Sequence, residues 1–206
     1  MPSGERLQKL AAWLKDMRQA SQCLEIYQVY PAQANVDVLV WSALQVEGED
    51  VEARFFTRFL AASNPYRGLL QPQSILWGYT QPSQYTKARS NQEIDLLSPN
   101  REPFLIIYPF VKTVSWYMMG RESRQGMMNE HIRIGKQYPK IKQLLLYSFG
   151  LQDQEFIVVY ETADLVQFSN LVHELRGSEA RRYTDRDTPI TTAIFHPAEE
   201  TLKLWA

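Results

Sequence analysis

"IKQLLLYSFGLQDQEFIVVYETADLVQFSNLVHELR", residues 141–176, changes its apolar rhythm twice within one quotation. The runs IKQLLLYSF (residues 141–149) and EFIVVYE (155–161) are rich in aliphatic, β-branched and aromatic residues and read as strands. Alternation in the first places Ile141, Gln143, Leu145 and Tyr147 on one face, with Lys142, Leu144, Leu146 and Ser148 on the other. From Asp164 to Arg176 the period becomes helical, with Leu165, Phe168, Val172 and Leu175 as the buried stripe. Working outward, FLIIYPF (104–110) is a strand, a helix is expected near Arg121 to Gln137, and PITTAIFH (189–196) is a closing strand. Strand, helix, strand, strand, helix, strand is the order of a ferredoxin-like unit.

The first half follows a similar grammar. A helix from about Glu5 to Ala20 precedes strands LEIYQVY (24–30) and DVLVWSAL (37–44). A second helix, Asp50 to Ser63, has Val51, Phe55, Phe59 and Ala62 on one stripe, and SILWGYT (74–80) is expected to be a strand. The polar stretch Gln81–Pro103 reads as a linker, dividing the chain into an N-terminal unit over 1–100 and a C-terminal unit over 101–206.

With 206 residues, 45% of them hydrophobic, the chain can build one large core or two small ones. A net charge of −1 supplies no basic surplus to draw nucleic acid or an acidic membrane surface. Cys23 is the one cysteine, so neither an intrachain disulfide nor a cysteine-built cluster can form, which suits a reducing compartment. The N-terminal MPSGERLQKLAAWLKDMRQA is charged and amphipathic rather than a secretory signal, and no apolar run approaches a membrane span; a soluble, cytoplasmic protein is expected.

Three histidines remain as candidate ligands. His173 falls at the edge of its helix stripe and is expected to face solvent, while His196 ends a strand before Pro197 and reads as structural or exposed. His131 differs, because helical spacing aligns it with Met127, Met128 and Ile134 on an apolar face. Such a histidine is more often a hydrogen-bonded core residue than a ligand. One imidazole cannot build a zinc site without further ligands at suitable spacing, and the sequence offers none. Haem, whose porphyrin supplies the four in-plane donors, needs only one.

The segments YPFVKTVSWYMM (108–119), RQGMMNEHIRIGKQYP (124–139), YSFGLQDQEFIVVYETADL (147–165) and LRGSEARRYTDRDTPI (175–190) resemble, in order, the C-terminal half of the chlorite dismutase family, and are closest in motif to its coproheme decarboxylase branch. In the first half only WGYTQPSQYT (77–86) carries the likeness. The resemblance implies an α+β fold of two fused ferredoxin-like units with antiparallel sheets, of the dimeric α+β barrel type. It also implies one haem per subunit, as haem b or iron coproporphyrin III, a homo-oligomer that is a pentamer among longer members, and hydrogen peroxide or chlorite as co-substrate.

Carried over residue by residue, the resemblance makes His131 the iron ligand and Gln143, counted back from Gly150, the residue on the opposite face of the haem. A connection one residue short at QYPK leaves Lys142 or Leu144 as other occupants of that face. Chlorite dismutases carry an arginine there, whose fixed charge can hold an oxychlorine anion; a neutral amide cannot. In the Tyr-Pro-X-X-Lys motif, Tyr108 corresponds to the decarboxylases' radical-forming tyrosine and Lys112 to a propionate contact, with Tyr117 and Tyr147 as the next tyrosines to consider. Arg176 matches a further propionate contact. Arg181 stands where matched decarboxylases have serine, and only Arg101 is placed to replace an arginine they carry ahead of the Tyr-Pro motif. Three functions follow as expectations: coproheme decarboxylation, chlorite dismutation, or haem binding without catalysis.

Overall fold

The computed structural model describes residues 3–86 and 90–206; Lys87–Arg89 of the expected linker and the first two residues lie outside them. The elements, in chain order, are α1 (Ser3–Ala20), β1 (Cys23–Gln28), β2 (Val38–Ala43), α2 (Val51–Ser63), β3 (Phe104–Lys112), α3 (Val114–Met118), α4 (Arg121–Lys136), β4 (Lys142–Tyr147), β5 (Phe156–Thr162), α5 (Leu165–Arg176), β6 (Thr184–Arg186), β7 (Thr191–Phe195) and α6 (Ala198–Lys203), with 3-10 turns at Asn64–Tyr66 and Glu179–Tyr183. No helix among the described residues is long and apolar enough to cross a membrane.

Two compact units form, interleaved in sequence. One comprises the chain up to Ile75, Asp95–Arg101 and Ala193–Ala206; the other comprises Leu76–Ile94 and Glu102–Thr192. The expected single division near residue 100 differs from this because contacts, not composition, define a unit. In the first unit α1 and α6 lie on β1, burying Leu10, Trp13, Leu14, Met17, Leu24, Ile26, Ala198 and Leu202 together. The C-terminal helix therefore completes the N-terminal core, and Thr201 Oγ1 donates to Ile26 O at 3.1 Å.

In the second unit β5 lies between β3 and β4, antiparallel to both, and β6 pairs with the end of β3. The chain order β3, α4, β4, β5, α5 with this strand order is the ferredoxin-like arrangement. Directly opposed residues share a face, so the register Ile106↔Tyr160↔Gln143, Tyr108↔Val158↔Leu145, Phe110↔Phe156↔Tyr147 puts these nine side chains on one side of the sheet. That side receives the helices: Ile106, Ile134, Ile141, Tyr160 and Leu171 form the core, with Tyr108, Val158, Phe168 and Leu175 against it. Helix α5 starts cleanly because the Asp164 carboxylate accepts from the Val166 and Gln167 amides at 2.9 and 3.0 Å. In α4, Glu122 in the first turn and Arg133 and Lys136 in the last complement the helix dipole.

Two sequence expectations change here. SILWGYT is not a strand: its ordered pairing is one bridge, Tyr79 to Tyr147. Gln92–Ile94, within the expected linker, instead lie along the outer edge of β4. Gln143 N donates to Gln92 O at 2.7 Å, and Ile94 N donates to Gln143 O at 3.1 Å. The side-chain amide of Gln92 donates to Gly135 O, Tyr138 O and Ile141 O at 3.3, 2.9 and 3.0 Å. A polar composition reads as loop, yet an exposed strand edge needs such donors and acceptors.

The approach at Tyr79 is close enough to require glycine. A Cβ at Gly78 would stand 2.6 Å from Tyr147 O and 2.7 Å from Ser148 Oγ. Gly78→Ala should therefore open the Tyr79–Tyr147 bridge and cost about 1–3 kcal/mol of stability, read as a lower urea midpoint; an unchanged midpoint would contradict this packing.

Candidate functional site

Helix α4 places His131 one turn before the buried Ile134 on the same stripe, so it faces the sheet side that carries Tyr108, Leu145 and Gln143. Its imidazole has no hydrogen-bond partner among the described residues. Burial, and then the nearby Lys112 ammonium, push its pKa down to about 4 against the opposing pull of Glu130. At neutral pH it is an uncharged base with a free lone pair. His173 is exposed and His196 Nε2 is 3.0 Å from Gln28 Oε1, so neither resembles it.

Tyr108 lies on β3 with its ring stacked on Tyr160, centroids 6.2 Å apart at 26°. Burial raises its phenol well above the ordinary range, and a hydrogen bond with Tyr160 adds to this; Asp187 and Arg176 are its charged neighbours. Lys112, at the end of the same strand, reaches back to donate to Ala180 O at 3.1 Å, with its Nζ 4.2 Å over the Trp116 ring and 5.1 Å over Phe110. Burial, followed by repulsion from Arg181, lowers its pKa to about 8, while Glu155 works the other way. It remains predominantly a cation at pH 7, and the aromatic faces favour that form.

Arg176 ends α5 and Arg181 lies in the 3-10 turn. Both guanidinium groups meet Asp187 Oδ2, at 2.5 and 2.6 Å. Gln143 sits on β4 opposite Tyr160 with its side chain exposed, and its backbone N–H and C=O both bond to Gln92–Ile94. Lys142 and Leu144 point to the opposite face; Lys142 pairs with Glu102 at 2.7 Å and Leu144 is buried. The register thus excludes both as alternatives to Gln143 on the His131 side.

Arg101 belongs to the first unit. It stacks 5.5 Å over Trp41 and donates to Asp95 O and Leu96 O at 3.1 and 2.9 Å. Tyr117 donates to Glu155 Oε2 at 2.5 Å, and the same oxygen accepts the Lys112 amide at 2.8 Å. Asp187 and Glu155 both escaped sequence reading; nothing in YTDRDTP or in QDQEF marks one acidic residue above its neighbours.

No cluster of three or more potential metal-ligating side chains occurs among the described residues. The site offers instead one neutral nitrogen, an apolar and aromatic sheet face, a neutral amide, and cations at Lys112, Arg176 and Arg181. A ligand suited to it is flat, carries carboxylates, and brings most of its own metal donors.

Such a site on an α+β scaffold of ferredoxin-like units defines a class before it defines a relative. The sequence pattern of a family described as chlorite dismutase matches residues 4–195, and the chain belongs to that family. It is 27% identical over 170 residues to a coproheme decarboxylase from Mycolicibacterium smegmatis, covering 81% of this chain and 70% of the relative. A coproheme decarboxylase from Staphylococcus saprophyticus is 32% identical over 162 residues, covering 72% of this chain and 64% of that protein, so the chain spans under two thirds of its length. Among solved structures, chlorite dismutase from Candidatus Nitrospira defluvii in complex with imidazole superposes with a TM-score of 0.84 at 22% identity, covering 100% of this chain and 88% of the other. At that identity the likeness is one of fold.

The displaced pKa of His131 has a measurable consequence. Between its ordinary value of 6.5 and its folded value of about 4, the unfolded chain binds the proton and the folded chain does not. This contribution is complete above pH 6.5 and is lost as pH falls toward 4, at up to roughly 1.4 kcal/mol per pH unit. Nitrogen NMR of the ligand-free protein should show a neutral His131 at pH 6, and His131→Ala should flatten stability across that window; an imidazolium at pH 6 would contradict the site described.

Proposed function

We propose that this protein is a haem-dependent oxidoreductase that uses hydrogen peroxide to convert propionates of iron coproporphyrin III into vinyl groups, yielding haem b. The observation that carries the choice of reaction is the shared sheet face of Tyr108 and Gln143 on the side of His131. The names of the two relatives support the same reading.

The residues fit a haem. His131 would hold the iron through its unprotonated nitrogen, the Tyr108–Leu145 face would take the porphyrin plane, and Lys112 and Arg176 would meet carboxylates. A bound haem supplies peroxide activation and withdraws electrons singly. Each propionate must then lose a β-hydrogen, one further electron and carbon dioxide, so that propionate, peroxide and a proton give vinyl, carbon dioxide and two waters. Tyr108 can take the β-hydrogen as a phenoxyl radical and be restored as phenol. Its burial keeps the phenol protonated until it is oxidised, and the Tyr160 hydroxyl is the neighbour able to share that proton. Gln143 can hydrogen-bond peroxide without the fixed charge that retains an oxychlorine anion, which disfavours chlorite dismutation.

Loading the protein with iron coproporphyrin III, titrating peroxide and following product masses tests the reading. Stepwise carbon dioxide loss is expected. Bleaching without vinyl products would favour haem binding without catalysis, and sustained dioxygen release from chlorite would favour dismutation. His131→Ala should abolish the five-coordinate imidazole spectrum or weaken haem retention at least tenfold with the fold intact. Tyr108→Phe should bind the substrate about as well as the parent yet stall before the first carbon dioxide; normal turnover would reduce Tyr108 to a packing residue.

A further inference from the structure

Tyr117 and Glu155 have no part in the chemistry above, yet the second unit holds them in close register. Tyr117 Oη donates to Glu155 Oε2 at 2.5 Å, and the Lys112 amide donates to the same oxygen at 2.8 Å. The Glu155 amide donates in turn to Phe110 O at 3.3 Å, which fixes the acidic residue against the end of β3. Burial, followed by the bond to Glu155, raises the Tyr117 phenol well above its ordinary range, although the residue is 38% exposed. A neutral phenol gives up an electron reluctantly, because the radical cation left behind is a strong acid. A base positioned on the hydroxyl takes the proton as the electron leaves and removes that obstacle.

Aromatic contact links this pair to the site face of the sheet. Tyr147 on β4 shares that face with Tyr108 and Gln143. Its ring lies over Phe149 with centroids 6.5 Å apart at 30°, and Phe149 meets Tyr117 edge-on at 6.1 Å. Phe156 closes the group, 5.4 Å from Tyr147 and 4.8 Å from Phe149. One ring therefore separates an oxidisable side chain on the site face from an oxidisable side chain at the surface, and electron transfer, which falls steeply with distance, is favoured by such contact. Two other tyrosines have carboxylate partners, Tyr66 with Asp16 at 2.8 Å and Tyr138 with Glu174 at 2.5 Å. Tyr66 belongs to the first unit. Tyr138 forms no ring pair among the described residues, so there the same phenol–carboxylate geometry occurs without the aromatic route.

We propose that Tyr117, paired with Glu155, is an outlet through which surplus oxidising equivalents leave the porphyrin site for the protein surface. The proposal rests on the haem reading of the site. An iron porphyrin oxidised by hydrogen peroxide, and not met by substrate, gains one electron from Tyr117 by way of Tyr147 and Phe149. The Tyr117 O–H bond breaks, its proton forms an O–H bond on Glu155 Oε2, and a neutral phenoxyl radical remains at the surface. An external one-electron reductant such as ascorbate restores the phenol, with the proton returning from Glu155. Tyr108 differs, because its hydroxyl neighbour is the phenol of Tyr160 rather than a carboxylate.

The test has two arms, both on the full chain. In the first, the ligand-free protein is oxidised by a photogenerated ruthenium(III) polypyridine in the presence of a nitroso spin trap, and adducts are mapped to peptides by mass spectrometry. Tyr117 should carry adduct in the parent. Glu155→Gln keeps an oxygen acceptor for the phenol but removes the base, and should lower that adduct roughly tenfold while Tyr138 is unaffected. In the second arm the protein is loaded with haem b and given hydrogen peroxide without a reductant. Adduct should now form at Tyr117 in preference to Tyr138, and Tyr117→Phe should bleach its haem several-fold faster than the parent. Phe149→Leu separates the route from the pair: it should leave the Tyr117 adduct of the first arm unchanged and lower that of the second several-fold. An undiminished Tyr117 adduct in Glu155→Gln, equal bleaching of parent and Tyr117→Phe, or an indifferent Phe149→Leu in the second arm would each overturn the outlet. Failure of the parent to bind haem b would overturn the functional reading and the route with it, while the first arm would still decide the Tyr117–Glu155 pair.

Discussion

The antiparallel register that locks β5 between β3 and β4 is the constraint on which the site depends. Side chains alternate with a period of two, so a slip of one residue in either pairing would send Tyr108 or Gln143 to the far side of the sheet and bring Ile107 or Leu144 round instead. The slip is opposed by burial: Ile106 and Tyr160 would leave the core they share with Ile134 and Leu171, and Glu161, now buried on the opposite face, would enter it. Moving an aromatic and an aliphatic side chain into water costs roughly 1.5–3 kcal/mol each. The packing that stabilises this unit is thus the same packing that orients its polar side chains.

Charge is distributed on that frame with a consistent logic. Desolvation holds two groups in their uncharged forms, His131 as a free base and Tyr108 as a phenol. The cations have partners instead. Lys112 keeps aromatic faces and a carbonyl around its ammonium, and the arginines share one carboxylate. The shared carboxylate offsets the repulsion that two unpaired guanidinium groups would impose in a half-buried setting.

How much of this was legible in the chain depends on the range of the signal. The stripe Met127, Met128, His131, Ile134 and the alternation through Gln143 are local periodicities, and both elements formed where those periods indicated. Charge partners were not legible, because they depend on distant pairing: Asp187 meets Arg176 across eleven residues of chain only because β6 returns along β3. Residues 74–80 misled for the opposite reason. Their apolar composition suits a strand, but Gly78 lets the backbone approach Tyr147 at a single bridge. The division between the two units falls between Arg101 and Glu102, a boundary that no local feature of the sequence marks.

The polar segment before that boundary also has an architectural part. Strand β4 would otherwise present a bare edge beside Gln143, and such an edge invites pairing with another chain. Backbone at Tyr79 and at Gln92–Ile94 closes it from opposite ends. Gln92 adds a second constraint, because its one amide group joins Gly135 at the end of α4, Tyr138 and Ile141 in the connection, and so fixes the turn leading into β4. The helix that carries His131 and the strand that carries Gln143 are joined by only a few residues, and Gln92 ties three of their carbonyls to one point. A site that holds a ligand between a helix and a sheet needs those walls at constant separation, since a small loosening would change every contact at once. A polar stretch of the chain thus fixes the spacing between α4 and β4.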